Sequence, residues 1–173
     1  MIQTIDVPIT DTTEAILQEI NHAFGMVPNL FLACAKHPAL LEANWKKVKA
    51  VLLGGRLRRK MKEIIALLVS VDNNCTYCFA AHSAALQSMR VQKNQIDALL
   101  LGIYPSDTGL SDVALINFAR RVNQYWREIK ESDLNALKQM GISEVDIIEV
   151  LGVVELFAGF NRFARTIQIK VDF

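Results

Sequence analysis

Glu63-Ile-Ile-Ala-Leu-Leu-Val-Ser-Val-Asp-Asn-Asn-Cys75-Thr-Tyr77-Cys78-Phe-Ala-Ala-His82 is the stretch on which the reading of this chain turns. It holds two of the three cysteines, one of the three histidines and a carboxylate inside a strongly apolar run. Glu63 to Val71 is apolar apart from Glu63 and Ser70, which predicts a buried helix. Asp72-Asn73-Asn74 interrupts the pattern, and such residues end one helix and cap the next. A second helix is expected from about Cys75 through Leu86. On it Cys75, Cys78 and His82 stand at i, i+3 and i+7, and therefore on one face.

If the two helices fold back as an antiparallel hairpin turning at Asn73-Asn74, Glu63 lies ~15 Å before the turn and His82 ~12 Å after it. The two then meet at one level. A buried carboxylate orients an imidazole and keeps it basic. The histidine, one turn from Cys78, can take a thiol proton. Cys75 gains separately from the positive end of the helix dipole. Glu63 inside an apolar run also demands a partner, because burying an unpaired carboxylate costs several kcal/mol.

Glu, eleven residues, then Cys-x-x-Cys-x-x-x-His resembles the signature of the alkylhydroperoxidase D-like (AhpD-like) proteins of the carboxymuconolactone decarboxylase superfamily. Phe24-Gly25-Met26-Val27-Pro28-Asn29-Leu30, His37-Pro38-Ala39-Leu40-Leu41 and Asn161-Arg162 look like its peroxidase-related branch. The resemblance touches residues 20 to 165. It implies an all-α AhpD-like fold over a single domain, 1–173, with the hairpin carrying the CxxC motif at its centre. It implies a thiol-dependent antioxidant oxidoreductase without a cofactor, reducing hydroperoxides or serving a peroxidase partner. Relatives often carry His immediately before the second cysteine; here that place is Tyr77, so the relay lacks a second histidine. Tyr77 is expected to hydrogen-bond the pocket without acting as a base, and Phe24 to Leu30 to wall it.

Two arguments bear on which thiol attacks. Helix position favours Cys75, expected to be the more exposed; proximity to the base favours Cys78. The dipole contributes only ~0.3–1 kcal/mol in most settings, whereas a base in reach deprotonates at the moment of need. The expectation, which the resemblance also implies, is that Cys78 attacks and Cys75 resolves.

The alternative is a non-enzymatic metal-binding or redox-sensing oligomer using the same Cys, His and Glu side chains. A CxxC with a later His is half of a zinc site, but no second pair stands at ligand spacing: Cys34, His22 and His37 are scattered. Cys34, among apolar residues, reads as inert core, and His22 as solvated.

A net charge of +1, from 19 basic and 18 acidic residues, gives no case for nucleic acid. The basic cluster Arg56, Arg58, Arg59, Lys60 and Lys62 reads as a solvated helix start. No apolar run reaches the ~20 residues of a membrane helix. The amino terminus lacks a secretory pattern, and thiols in CxxC fit a reducing cytoplasm. Half the residues, 51%, are hydrophobic, a surplus that suggests subunit interfaces: a homo-oligomer, a trimer or a hexamer.

Along the chain, residues 1–10 read as extended. Helices follow from the capping box Asp11 to Glu14, from Pro28, and from Pro38 to Gly54-Gly55. Others are expected over Val91 to Leu101, over Ser111 to Ile129, from Ser132 or Asp133 to Gly141, and from Ser143 to Phe163. Asn161-Arg162 on the last helix reads as a substrate or subunit contact, or as an arginine paired across an interface.

Overall fold

The computed structural model describes residues 10–173; the extended reading of residues 1–9 lies outside them. Nine α-helices make up most of the regular structure among the described residues: α1 (Asp11–Phe24), α2 (Asn29–Cys34), α3 (Pro38–Val48), α4 (Arg59–Asp72), α5 (Thr76–Ser88), α6 (Lys93–Leu100), α7 (Leu110–Tyr125), α8 (Glu131–Gln139) and α9 (Glu144–Thr166). There is no strand among them, as expected of an all-α chain.

Helix α4 is the axis of the molecule. Met61 to Ser70 are all buried, and the helix packs against α5, α7 and α9. Neighbours on several sides explain why its apolar run has no polar face. Leu67 and Leu68 are fully buried here, each side chain contributing ~1.5–3 kcal/mol. Ser70 is tolerated because its hydroxyl donates to the Ala66 carbonyl one turn back (2.7 Å). One cluster of contacting buried apolar residues runs from Ile16 to Ala164.

Helix ends follow local chemistry. The Thr10 hydroxyl, rather than Asp11, caps α1 by accepting from the Thr13 amide. Gly25 ends α1 at φ 77°, a left-handed position that favours glycine. Pro38 opens α3 at its first position, where a missing N–H costs nothing. Ser143 and Asp146 form the reciprocal capping box of α9.

Several boundaries depart from expectation. The α3 helix continues as a π-helical turn, Lys49–Leu53, before Gly54. The helix expected over 111–129 stops at Tyr125 and tightens into a 3₁₀ turn, Trp126–Glu128. Asp133 lies inside the first turn of α8, its carboxylate accepting from the Lys130 amide (2.8 Å) ahead of the helix.

The basic cluster is not uniformly solvated. Arg58 pairs with Asp112 and Lys60 with Asp107 at the surface. Lys62, by contrast, is 1% exposed. Its ammonium is held by the Gly54 carbonyl and the Glu149 carboxylate, which also accepts from the Arg56 amide (2.8 Å). The loop before α4 is thereby pinned to α9. Gly55 makes the close approach possible: at φ 88° it sits where a Cβ would collide with that carboxylate. Lys62→Met should lower stability by ~3 kcal/mol, because removing one partner leaves a buried charge uncompensated. An unchanged urea midpoint would show the pair to be dispensable.

Candidate active site

Glu63 lies in the first turns of α4, and His82 lies midway along α5. The three residues between the helices return the chain so that His82 Nδ1 meets Glu63 Oε2 at 2.6 Å. Both groups are buried. The other carboxylate oxygen, Oε1, accepts from Arg59 through Nε (2.7 Å) and Nη2 (2.6 Å). Burial alone would raise the Glu63 carboxyl, but His82 and Arg59 outweigh it and hold it below the ordinary carboxylate range. An ionised Glu63 accepts a hydrogen bond from His82 Nδ1–H, which fixes the ring and makes Nδ1 a protonated nitrogen. The edge of Phe157 stands perpendicular to the imidazole, with centroids 4.4 Å apart, and fixes its plane.

The two thiols open α5. Cys75 is its N-cap residue and Cys78 lies one turn in; both are reduced. The Cys75 thiol is depressed to about 6, first by a hydrogen bond from the Cys78 thiol. Burial opposes the shift; the Cys78 backbone amide, the Asn161 amide and the Arg165 charge reinforce it. Cys78 is raised correspondingly, by its bond to Cys75 and by burial. The first charge on the pair therefore settles at the helix start, where the dipole favours it.

Exposure corrects one expectation. Cys75 is not exposed: at 1% it is as buried as Cys78, at 3%. The reason is tertiary, since Arg165 and Asn161 of α9 close over the turn. Arg165 donates to the Asn73 (3.3 Å) and Asn74 (2.8 Å) carbonyls.

A cavity of about 480 Å³ abuts the site. Cys78, His82, Glu63, Arg59 and Tyr77 line one region of it, while Cys75 does not reach it. Phe24, Met26, Leu30, Phe31, Phe157 and Phe160 supply much of the apolar wall, so the segment Phe24 to Leu30 does border the thiol cavity. The Tyr77 hydroxyl accepts from the Leu30 amide (3.1 Å), and its ring rests on Phe173 (5.6 Å). Burial pushes the phenol upward, so it stays protonated.

The remaining candidates fall elsewhere. Cys34 is buried between α2 and α3, accepts weakly from Asn44 (3.5 Å), and is raised by burial. His22 is exposed, and His37 caps α3. Among the described residues, no group of three or more His, Cys, Asp or Glu side chains is placed to hold a metal ion. Arg162 bonds the Ala158 carbonyl of its own helix (3.1 Å). Asn161, read as a substrate or subunit contact, is instead buried and bonded to Asn73 and Ser70. Arg59 was missed as a partner of the site, although its spacing of four from Glu63 is the helical ion-pair interval.

Residues 38–121 match the carboxymuconolactone decarboxylase family. An alkyl hydroperoxide reductase of Mycobacterium tuberculosis is 29% identical over 91 residues, 53% of this chain and 26% of that protein, so this chain matches about a quarter of that relative's length. A peroxidase-related protein of Silicibacter sp. TM1040 superposes with a TM-score of 0.88 at 26% identity, over 99% of this chain and 91% of its own. A peroxidase-related protein of Ralstonia eutropha JMP134, an alkylhydroperoxidase AhpD core, gives 0.83 at 27% identity, over 94% and 86%. With the Glu63–Cys75–Cys78–His82 spacing and an all-helical architecture, these matches support the reading of the chain as AhpD-like, within the carboxymuconolactone decarboxylase superfamily.

Proposed function

We propose that this chain is a thiol-dependent peroxidase that cycles Cys75 and Cys78 between dithiol and disulfide. The observation that carries the reading is the placement of Cys78, at the wall of an apolar cavity beside a His82 held by Glu63. In this reading α4 and α5 form an antiparallel hairpin at the centre of one domain, and the hairpin brings relay and thiols together.

The resting charge lies on Cys75, but a substrate in the cavity meets Cys78. The two are reconciled by the hydrogen bond between them: the Cys78 proton passes to Cys75 without changing the charge of the pair. The Cys78 thiolate then attacks the terminal oxygen of a hydroperoxide. The O–O bond breaks, Cys78 becomes a sulfenic acid, and the departing alkoxide takes a proton relayed by His82. The Cys75 thiol gives up its proton, displaces hydroxide from Cys78 as water, and closes the disulfide. In sum, dithiol and hydroperoxide become disulfide, alcohol and water. A thiol reductant or a peroxidase partner must restore the dithiol, which places the chain in a reducing compartment such as the cytoplasm. No helix among the described residues is long and apolar enough to cross a membrane.

Steady-state turnover of several organic hydroperoxides with a dithiol reductant tests the proposal. Absence of turnover with every reductant would favour a redox-sensing role. We also propose a homo-oligomer, a trimer or a hexamer, motivated by exposed apolar residues such as Leu110, Val145 and Ile148. Light scattering should report a multiple of 19.4 kDa at micromolar concentration, and a monomeric particle would refute it.

A further inference from the structure

Residues 167–173 leave α9 and run back to the thiol cavity. Gln168 takes a left-handed φ of 54°, and the Ile169 amide donates to the Ala164 carbonyl (3.0 Å), a helix-ending turn that redirects the chain. Ile169 packs against the core. Past it, among the described residues, no backbone-to-backbone hydrogen bond holds the segment; side chains do. Asp172 Oδ2 accepts from the Asn29 amide (2.6 Å), and Asn29 Nδ2 donates to the Lys170 carbonyl (3.1 Å). The next amide of α2, that of Leu30, is the one taken by the Tyr77 hydroxyl. The Asp172 latch and Tyr77 therefore stand side by side at the start of α2, and there the Phe173 ring meets the Tyr77 ring. Phe173 is 45% exposed, yet it borders the same cavity as the buried Cys78. A ring that lines a cavity and also faces solvent stands at its rim.

We propose that residues 168–173 are a strap gating the thiol cavity, and that Phe173 determines which molecules reach Cys78. With Asp172 latched on Asn29 the ring narrows the rim, and a bulky apolar substrate enters only as the latch opens. The inference rests on the reading of Cys78 as the attacking thiol and adds a size selectivity to it. The interior does not set that limit: at about 480 Å³, with rings such as Phe157 and Phe160 in its wall, it has the room and the apolar lining of a small-molecule site. Tyr77 is the fixed side of the rim, since its ring is buried and its hydroxyl is committed to α2. The strap is the movable side. A half-exposed ring on a segment without backbone bonds opens at far lower cost than the packed helices beneath it.

The test uses the full chain, reduced, with no peroxide present, so it is decided apart from turnover. N-methylmaleimide and N-phenylmaleimide carry the same reactive group on substituents of different size. The ratio of their rates at one sulfur cancels the ionisation of that sulfur. Alkylation is followed at Cys78 by fragmentation mass spectrometry. Asp172→Ala unlatches the strap with the ring intact. It should raise the N-phenylmaleimide rate about tenfold, the scale of one hydrogen bond to a charged group. Phe173→Ala removes the ring itself and should raise that rate at least as much. In both variants the N-methylmaleimide rate should change far less. Val171→Ala alters an exposed residue of the same strap that does not border the cavity, and should match the wild type. An unchanged or slower N-phenylmaleimide reaction in Phe173→Ala and Asp172→Ala overturns the proposal. So does equal acceleration of both reagents, or an acceleration as large in Val171→Ala, since either would mean that the fold has merely loosened. The expected selectivity in a protein that turns over no peroxide would uphold the gate and refute the peroxidase reading.

Discussion

Cys78→Ser should reduce hydroperoxide turnover by at least ~10³-fold, the scale on which removing a nucleophile acts. Cys75→Ser should behave differently: one equivalent of hydroperoxide should leave a sulfenic acid on Cys78, trapped by dimedone and located by mass spectrometry. In Cys78→Ser, Cys75 should stay largely unoxidised, because it does not reach the cavity. The opposite pattern would exchange the two roles. The pH dependence follows from the pair. Its first ionisation, which settles on Cys75, lies at about 6, so reactivity should rise with pH through that region and level off above it. Cys75→Ser removes the thiol that accepts the Cys78 proton. Its single-turnover rate should therefore rise at higher pH than that of the wild type. The same midpoint in both proteins would separate the charge on Cys75 from the reactivity of Cys78.

Glu63→Gln preserves shape while removing the charge that His82 and Arg59 share. Loss of a group that orients a catalytic histidine predicts a fall in turnover of about 10–100-fold, by analogy with the partners of metal-bound histidines. Stability should fall as well. Arg59 still reaches solvent, so the cost is nearer ~1–3 kcal/mol than that of breaking a wholly buried pair. The sign with pH is determined by the depressed Glu63 carboxyl. A depressed folded pKa gives stability that is present above the unfolded carboxyl value and lost as pH falls through the folded one. The gap between wild type and variant should therefore be complete at neutral pH and shrink in acid. Urea midpoints at the two ends measure it, and a gap that stays constant with pH would mean that packing, not charge, is responsible.

What was legible in the sequence was local. The fully apolar run from Ile64 to Val69 marked a helix covered on more than one side. Asn73-Asn74 marked the turn, and Asn74 does take a left-handed φ of 52°. The spacing of Cys78 and His82 put them on one side of α5, where both line the cavity while Cys75 caps the helix, and the demand of Glu63 for a buried partner pointed to His82. These inferences hold because helical period and the cost of burying charge act over a few residues or across a single short turn.

What depended on the tertiary structure was which of several equivalent-looking residues turned inward. Lys60 and Lys62 stand two positions apart in one basic cluster, yet only Lys62 meets Glu149, because α9 crosses α4 on that side. Cys75 has the exposed place at a helix start, but α9 covers it. Asn161 is 83 residues beyond Cys78 in the chain, and nothing in its neighbours reveals that its amide bonds Asn73 and Ser70 at the end of α4. Such contacts arise from where helices cross. The crossing is set by the summed packing of many side chains, each worth about as much as the ones it competes with, and no stretch of the sequence taken alone carries that sum.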